Sequence, residues 1–168
     1  PVADLASVAS FFVSRVDTEV DARLQEIGSD EALALRGQAA VANARLAYRL
    51  YERRTATERW GRLLAQGARS QRPLWASTSA KNPAYRDVVY VEELIGPDTV
   101  NTMPLETVRA FQEHGEVKQG SLMEGIDEAN ALLADLAAAG VDYDDVVATL
   151  EAEGVRKFAD SFAELLDG

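Results

Sequence analysis

Residues 5–16 read LASVASFFVSRV, and residues 17–28 continue as DTEVDARLQEIG. The first run is nearly continuous in apolar and small residues, with Val8, Phe11, Phe12 and Val13 as good strand formers. A strand with so little polar alternation suits a parallel sheet, where both faces are covered. The second run changes period. Val20, Leu24 and Ile27 are spaced by four and three, on one helical face, and Gly28 is a natural stop. Asp17 and Thr18 stand between the two runs as candidate helix caps.

The same alternation continues downstream. Ser29 or Asp30 can cap a helix over EALALRGQAAVANARLAYRLYERR, in which Leu35, Ala39, Ala42, Leu46 and Leu50 share a face. Gly37 weakens that helix by roughly 1 kcal/mol relative to Ala. A further helix runs from near Thr57 to Gly67. Pro73 to Ser79 is a second, short strand, and 80–84 a loop, because the residue before Pro83 avoids helix. Arg86 to Ile95 fits either a strand or a helical turn. Thr99 to Met103 is a third strand, ended by Pro104. Four helices follow, Leu105 to His114, Ser121 to Ala139, Tyr143 to Ala152 and Val155 to Leu166, divided at Gly115, Gly140 and Gly154, with Asp142 as an N-cap.

Alternating strands and helices argue for an α/β fold with a parallel sheet and helices packed outside it. Three parallel strands leave both sheet edges unpaired. A (β/α)₈ barrel needs eight strands and typically ~250 residues. The expectation is therefore one domain over 1–168, the last three strands of a TIM barrel with many helices.

Composition narrows the function. The chain has 168 residues, 47% hydrophobic and 27% charged, so a packed core is expected. A net charge of -11 disfavours a nucleic-acid partner. With no cysteine and one histidine, disulfides, thiolate chemistry and His-rich metal sites are excluded, and a reducing cytoplasm fits. No apolar run approaches the ~18–20 residues of a membrane span. The first residues lack a basic leader and a Met, so a processed product or a piece of a longer chain is expected.

Each strand ends in polar residues: Ser14, Arg15 and Asp17; Ser77, Thr78, Ser79 and Lys81; Asn101 and Thr102. Barrel active sites form at the carboxyl ends of strands, and phosphate is often held after the late ones. Arg offers a planar fork to a phosphate dianion, Lys a point charge and Ser a donor. On the residues alone, Arg15 is equally a solvated or ion-paired side chain, Ser10 a small core residue, Phe12 packing, and Ser77, Ser79 and Lys81 a plain loop that caps a helix. Asn101 and Thr102 serve strand-end hydrogen bonds, and His114 caps a helix end beside Gly115.

Four blocks carry a resemblance. Ser10-Phe-Phe-Val-Ser-Arg15 resembles the Ser-x-Phe-Val-x-Arg strand of transaldolases. Residues 75–85, WASTSAKNPAY, and 90–104, YVEELIGPDTVNTMP, look like the longer bacterial branch of that family. Residues 154–159, GVRKFA, are similar to its C-terminal helix.

The resemblance implies a transferase of the pentose phosphate pathway. Such an enzyme moves a dihydroxyacetone unit from sedoheptulose 7-phosphate to glyceraldehyde 3-phosphate, giving erythrose 4-phosphate and fructose 6-phosphate. It uses a lysine Schiff base, with no metal or cofactor. The family's lysine, acid/base Glu and first-strand Asp would all precede Pro1. This chain would then supply only the phosphate half of the site, through Ser10, Phe12, Arg15, Ser77, Ser79 and Lys81, and be inactive alone. Its partners would be phosphorylated sugars, and a second copy or the missing N-terminal strands. The rivals are another phosphosugar aldolase with Lys81 as Schiff-base residue, and a helical interaction module without substrate.

Overall fold

The computed structural model describes residues 2–167. After a 3-10 turn at Val2–Asp4, strand β1 (Val8–Phe12) runs directly into helix α1 (Val13–Ile27). Helices α2 (Asp30–Ala34), α3 (Ala39–Thr55) and α4 (Glu58–Leu64) lead to β2 (Arg72–Ala76). The short α5 (Val89–Glu92) precedes β3 (Val100–Asn101) and α6 (Leu105–His114). A second 3-10 turn, Ser121–Met123, then leads to α7 (Ile126–Ala139) and α8 (Tyr143–Asp167).

The sheet has the order β1-β2-β3 and is parallel throughout, with Phe12 opposite Ala76 and Trp75 opposite Asn101. Its two faces differ. Phe11 and the fully buried Trp75 meet ring to ring, 5.5 Å between centroids. With Ala9 and Pro73, Phe11 faces Ala47 and Tyr51 of α3 and Trp60 of α4. Side chains alternate along a strand, so Val8, Ser10 and Phe12 lie on the other face, where Val8 and Ser10 are exposed. One face is thus a core and the other is open.

The main core lies among the helices. Val16, Val20 and Leu24 of α1 pack with Ala39, Ala40, Ala42 and Ala44 of α3, and with Leu132 and Leu136 of α7. The alanines let α3 come close to both neighbours, because interaxial distance follows side-chain size.

Several boundaries differ from the sequence expectation. The first strand ends at Phe12, so Ser14, Arg15, Val16 and Asp17 open α1 and Asp17 is no cap. The second strand stops at Ala76, which puts Ser77 to Ser79 in a loop, and residues 89–92 are helical. The expected helix over 31–54 is broken between α2 and α3. Gly37 sits there at φ +72, and a Cβ would fall 2.7 Å from Cζ of Tyr85. Gly125, at φ +66, separates the second 3-10 turn from α7. Gly154, by contrast, breaks nothing: α8 runs through it, and a Cβ there meets no atom within 4 Å. Helix formers on both sides outweigh its modest cost.

These two glycines should respond oppositely to the same change. Gly154→Ala should stabilise the chain by about 0.5–1 kcal/mol. Gly37→Ala should destabilise it by more than that, since both the left-handed backbone and the Tyr85 ring oppose a side chain. Urea unfolding of the two variants checks this; equal signs would refute the distinction.

Candidate functional site

The register that sets Phe12 beside Ala76 brings the carboxyl ends of β1 and β2 together. Because α1 begins at once, its first-turn N–H groups have no helical partners. Ser14 N–H donates to the carbonyl of Ser77 at 3.1 Å, which ties the two strand ends. Ser77 takes φ +53, an uncommon conformation for a residue with a side chain, and turns the chain sharply out of β2. The buried Thr78 Oγ1 then donates to Asn101 Oδ1 at 2.9 Å, joining the loop to β3. Thr102 Oγ1 donates to the Trp75 carbonyl at 3.1 Å.

The residues expected at the site fall into two groups. Ser79 is buried, and Lys81 Nζ donates to its Oγ at 2.9 Å, one turn of loop beyond Ser77. On the β1 side, the Arg15 guanidinium lies 4.3 Å from the centroid of the Phe12 ring. Phe12 also meets Phe158 of α8 edge-on, at 6.3 Å. Ser10 sits two residues earlier on the open face. Both groups occupy the same end of the parallel sheet. Among the described residues no hydrogen bond joins Arg15 to the Ser77–Lys81 group. His114 is not a simple helix cap: its Nε2 lies 2.8 Å from Asp87 Oδ1.

Behind the second group lies a cavity of about 210 Å³ lined by Ser14, Asp17, Asp21, Lys81, Tyr85 and Tyr90. Asp17 is 2% exposed. Its Oδ1 accepts from Ala40 N–H at 2.8 Å and its Oδ2 from Tyr90 Oη at 2.6 Å. One helical turn on, Asp21 Oδ1 accepts from Gly37 N–H at 2.9 Å and Oδ2 from Tyr85 Oη at 2.5 Å. Burial pushes the Asp17 carboxyl up to about 6, against the opposing effect of the Tyr90 hydroxyl. Burial, then the bond to Asp21, raises Tyr85 to about 12. Tyr90 is raised further by burial beside the Asp17 charge. Of these four, the sequence marked Asp17 alone, as a strand-end polar residue and a helix cap, and gave Asp21, Tyr85 and Tyr90 no role. The available signal was Asp17 itself, an acid on the stripe of Val13, Val16, Val20 and Leu24 that forms the buried face of α1.

The family model described as Transaldolase/Fructose-6-phosphate aldolase matches residues 2–168. The chain is 60% identical to a transaldolase of Frankia alni over 165 residues, 98% of this chain and 44% of the relative. It is 58% identical to a transaldolase of Mycolicibacterium smegmatis over 161 residues, 96% of this chain and 43% of the relative. Against transaldolase 1 of Streptomyces avermitilis it is 52% identical over 166 residues, 99% and 44% respectively. The chain thus spans less than half the length of the curated relatives it matches.

The Asp17 shift has a consequence in pH. Its folded value of about 6 stands above the ordinary 3.8, so the native state holds the proton between those values. The stability this provides is fully present below about pH 4 and is lost as pH rises through about 6. Asp17→Asn never ionises and escapes that loss. Relative to the unsubstituted chain, its stability should improve by roughly 3 kcal/mol from about pH 4 to about pH 7. Denaturant titrations at both pH values isolate Asp17, because every other group titrates in both proteins. A difference that does not change with pH would mean that Asp17 ionises as an ordinary carboxylate.

Proposed function

The chain belongs to the transaldolase/fructose-6-phosphate aldolase family, and from that membership we propose that it is the C-terminal part of a transaldolase and forms the phosphate half of the active site. The observation that carries this reading is the Phe12–Ala76 register with the Ser14–Ser77 bond. Together they put Arg15, Ser77, Ser79 and Lys81 at one end of the sheet. Arg15 and Lys81 supply cationic charge and the serines supply hydroxyls, the donor set a phosphate dianion requires. α1 adds the positive end of its dipole, with no acidic residue in the first turn to cancel it. Ser10 and Phe12 border the same end from the open face, where Phe12 keeps the Arg15 guanidinium in place.

In the complete enzyme a lysine amine, on a strand before Pro1, would attack the ketone of a sugar phosphate and expel water. The resulting iminium takes up the electron pair when the C–C bond breaks. The dihydroxyacetone unit then passes to an aldose phosphate, a step of the pentose phosphate pathway in the cytoplasm. The chain's own task is to fix the phosphate, so that the reacting carbon is held in register. No metal or cofactor is needed for that task. Lys81, in the loop after β2, donates to Ser79 Oγ and so stands beside the serines of that loop.

Inorganic phosphate should bind this chain, and Arg15→Ala should weaken binding about ten- to a hundredfold, the cost of a hydrogen bond to a charged group. Calorimetric titration measures this. Borohydride treatment with fructose 6-phosphate should leave Lys81 unmodified. A stoichiometric adduct there would establish the aldolase chemistry instead.

The same reading makes the open surfaces an interface. β1 and β3 are the sheet edges, and unpaired edges are templates for another chain. α8 exposes Val155, Phe158, Phe162, Leu165 and Leu166. Covering such side chains is worth about 25 cal/mol per Å². The occupants that fit are the preceding strands of the family's barrel or a second copy of the chain. Sedimentation velocity at micromolar concentration should show association. A monomer with a concentration-independent melting transition would exclude it.

A further inference from the structure

The loop that carries Ser77, Ser79 and Lys81 lacks helix and strand from Ser77 to Val88, yet α1 bonds to it at Ser77 and Tyr85 and to Tyr90 just beyond it. Ser14 N–H donates to the Ser77 carbonyl at the near end. Asp21 accepts from the Tyr85 hydroxyl in the middle, and Asp17 accepts from Tyr90 just past the far end. Asp17 and Asp21 are four residues apart, so both carboxylates project from one face of α1, while Ser14 bonds through its backbone N–H. Tyr85 has a second restraint. Its ring lies against the bare Cα of Gly37, whose own N–H donates to Asp21 Oδ1 at 2.9 Å. Between Lys81 and Tyr85 the chain turns on itself, with Tyr85 N–H donating to the Asn82 carbonyl at 3.1 Å and Ala84 N–H to Asn82 Oδ1 at 3.0 Å. Lys81 and Tyr85 line the same cavity as Ser14 and Asp21. Lys81 is thus joined to Tyr85 by a short turn whose backbone is already hydrogen-bonded.

We infer that Tyr85 and Asp21 form a latch between this loop and α1, and that they are positioning residues for anion binding by Ser77, Ser79 and Lys81. The inference rests on the phosphate reading given above. Neither side chain belongs to the strand-end group; both act through the loop. The gain is pre-organisation, since a loop already ordered loses little freedom when the anion arrives. The Tyr85 hydroxyl donates to a charged acceptor in a half-buried setting, the stronger class of hydrogen bond. Gly37 serves the latch twice, as donor to the carboxylate and as the seat for the ring.

The test compares the full chain with Tyr85→Phe, Asp21→Asn and the double variant, by amide hydrogen exchange and by titration with inorganic phosphate. In Tyr85→Phe, amides between Ser79 and Arg86 should exchange about tenfold faster, while those of α3 and α7 keep their rates. Phosphate affinity should fall severalfold. The double variant should loosen the loop by less than the sum of the two single variants, because the two residues share one interaction. Unchanged loop exchange, or acceleration spread evenly over the chain, would overturn the latch. If the unsubstituted chain binds no phosphate, the reading of the site fails, and the exchange data alone decide the latch. If it binds phosphate through Arg15 and Tyr85→Phe leaves that affinity intact, the positioning role is overturned while the reading of the site stands.

Discussion

A carboxylate with almost no access to water holds the centre of this molecule. Asp17 accepts one hydrogen bond from the start of α3 and one from Tyr90 of α5. It therefore joins three segments that are far apart in the chain. A buried polar group without partners would be costly, and the partners it has are only available when those segments dock correctly. Asp21 repeats the arrangement one turn later with Gly37 and Tyr85. The break between α2 and α3 follows from this. Gly37 must present its N–H to Asp21 and its bare Cα to Tyr85, and a continuous helix offers neither.

From that anchor the geometry of the strand ends follows. α1 starts without a loop after β1, so its first-turn N–H groups point at whatever lies beside the strand. The neighbour is the chain leaving β2, and Ser77 supplies the carbonyl. The outcome is one end of the sheet rich in donors, with Arg15 stacked on Phe12 and Lys81 drawn to Ser79. The opposite arrangement holds on the sheet's open face. There Val8 and Ser10 stay exposed, and α8 reaches across only as far as Phe158 on Phe12. The three-stranded sheet has one covered face and one open face.

Much of this was legible from one-dimensional patterns. A near-continuous apolar run marked the first strand, the helical period of Val20, Leu24 and Ile27 marked α1, and Leu105 to His114 matched α6 from end to end. Glycines were the weak point. Gly28, Gly140 and Gly37 all occupy left-handed backbone, while Gly154 lies within a helix. Nothing local separates these cases. Gly37 is forced by Tyr85, 48 positions away in sequence, whereas at Gly154 the helix formers on both sides carry α8 through and a side chain would meet nothing.

Fold class, the sequential order of strands, the family and the residue types gathered at the strand ends were already legible in one dimension. Those depend on short-range period, on turn chemistry and on motifs that are contiguous in the chain. Tertiary structure alone decided where β1 yields to α1 and which glycines break a helix. It also decided that Asp17 is a buried junction rather than a helix cap. Each of these turns on a partner distant in sequence: Ser77 for Ser14, Tyr85 for Gly37, and Ala40 and Tyr90 for Asp17. An acid beside an apolar stripe can be a solvated edge or a buried acceptor. Only the donors that fold against it settle the choice, because the desolvation cost is offset only when they arrive.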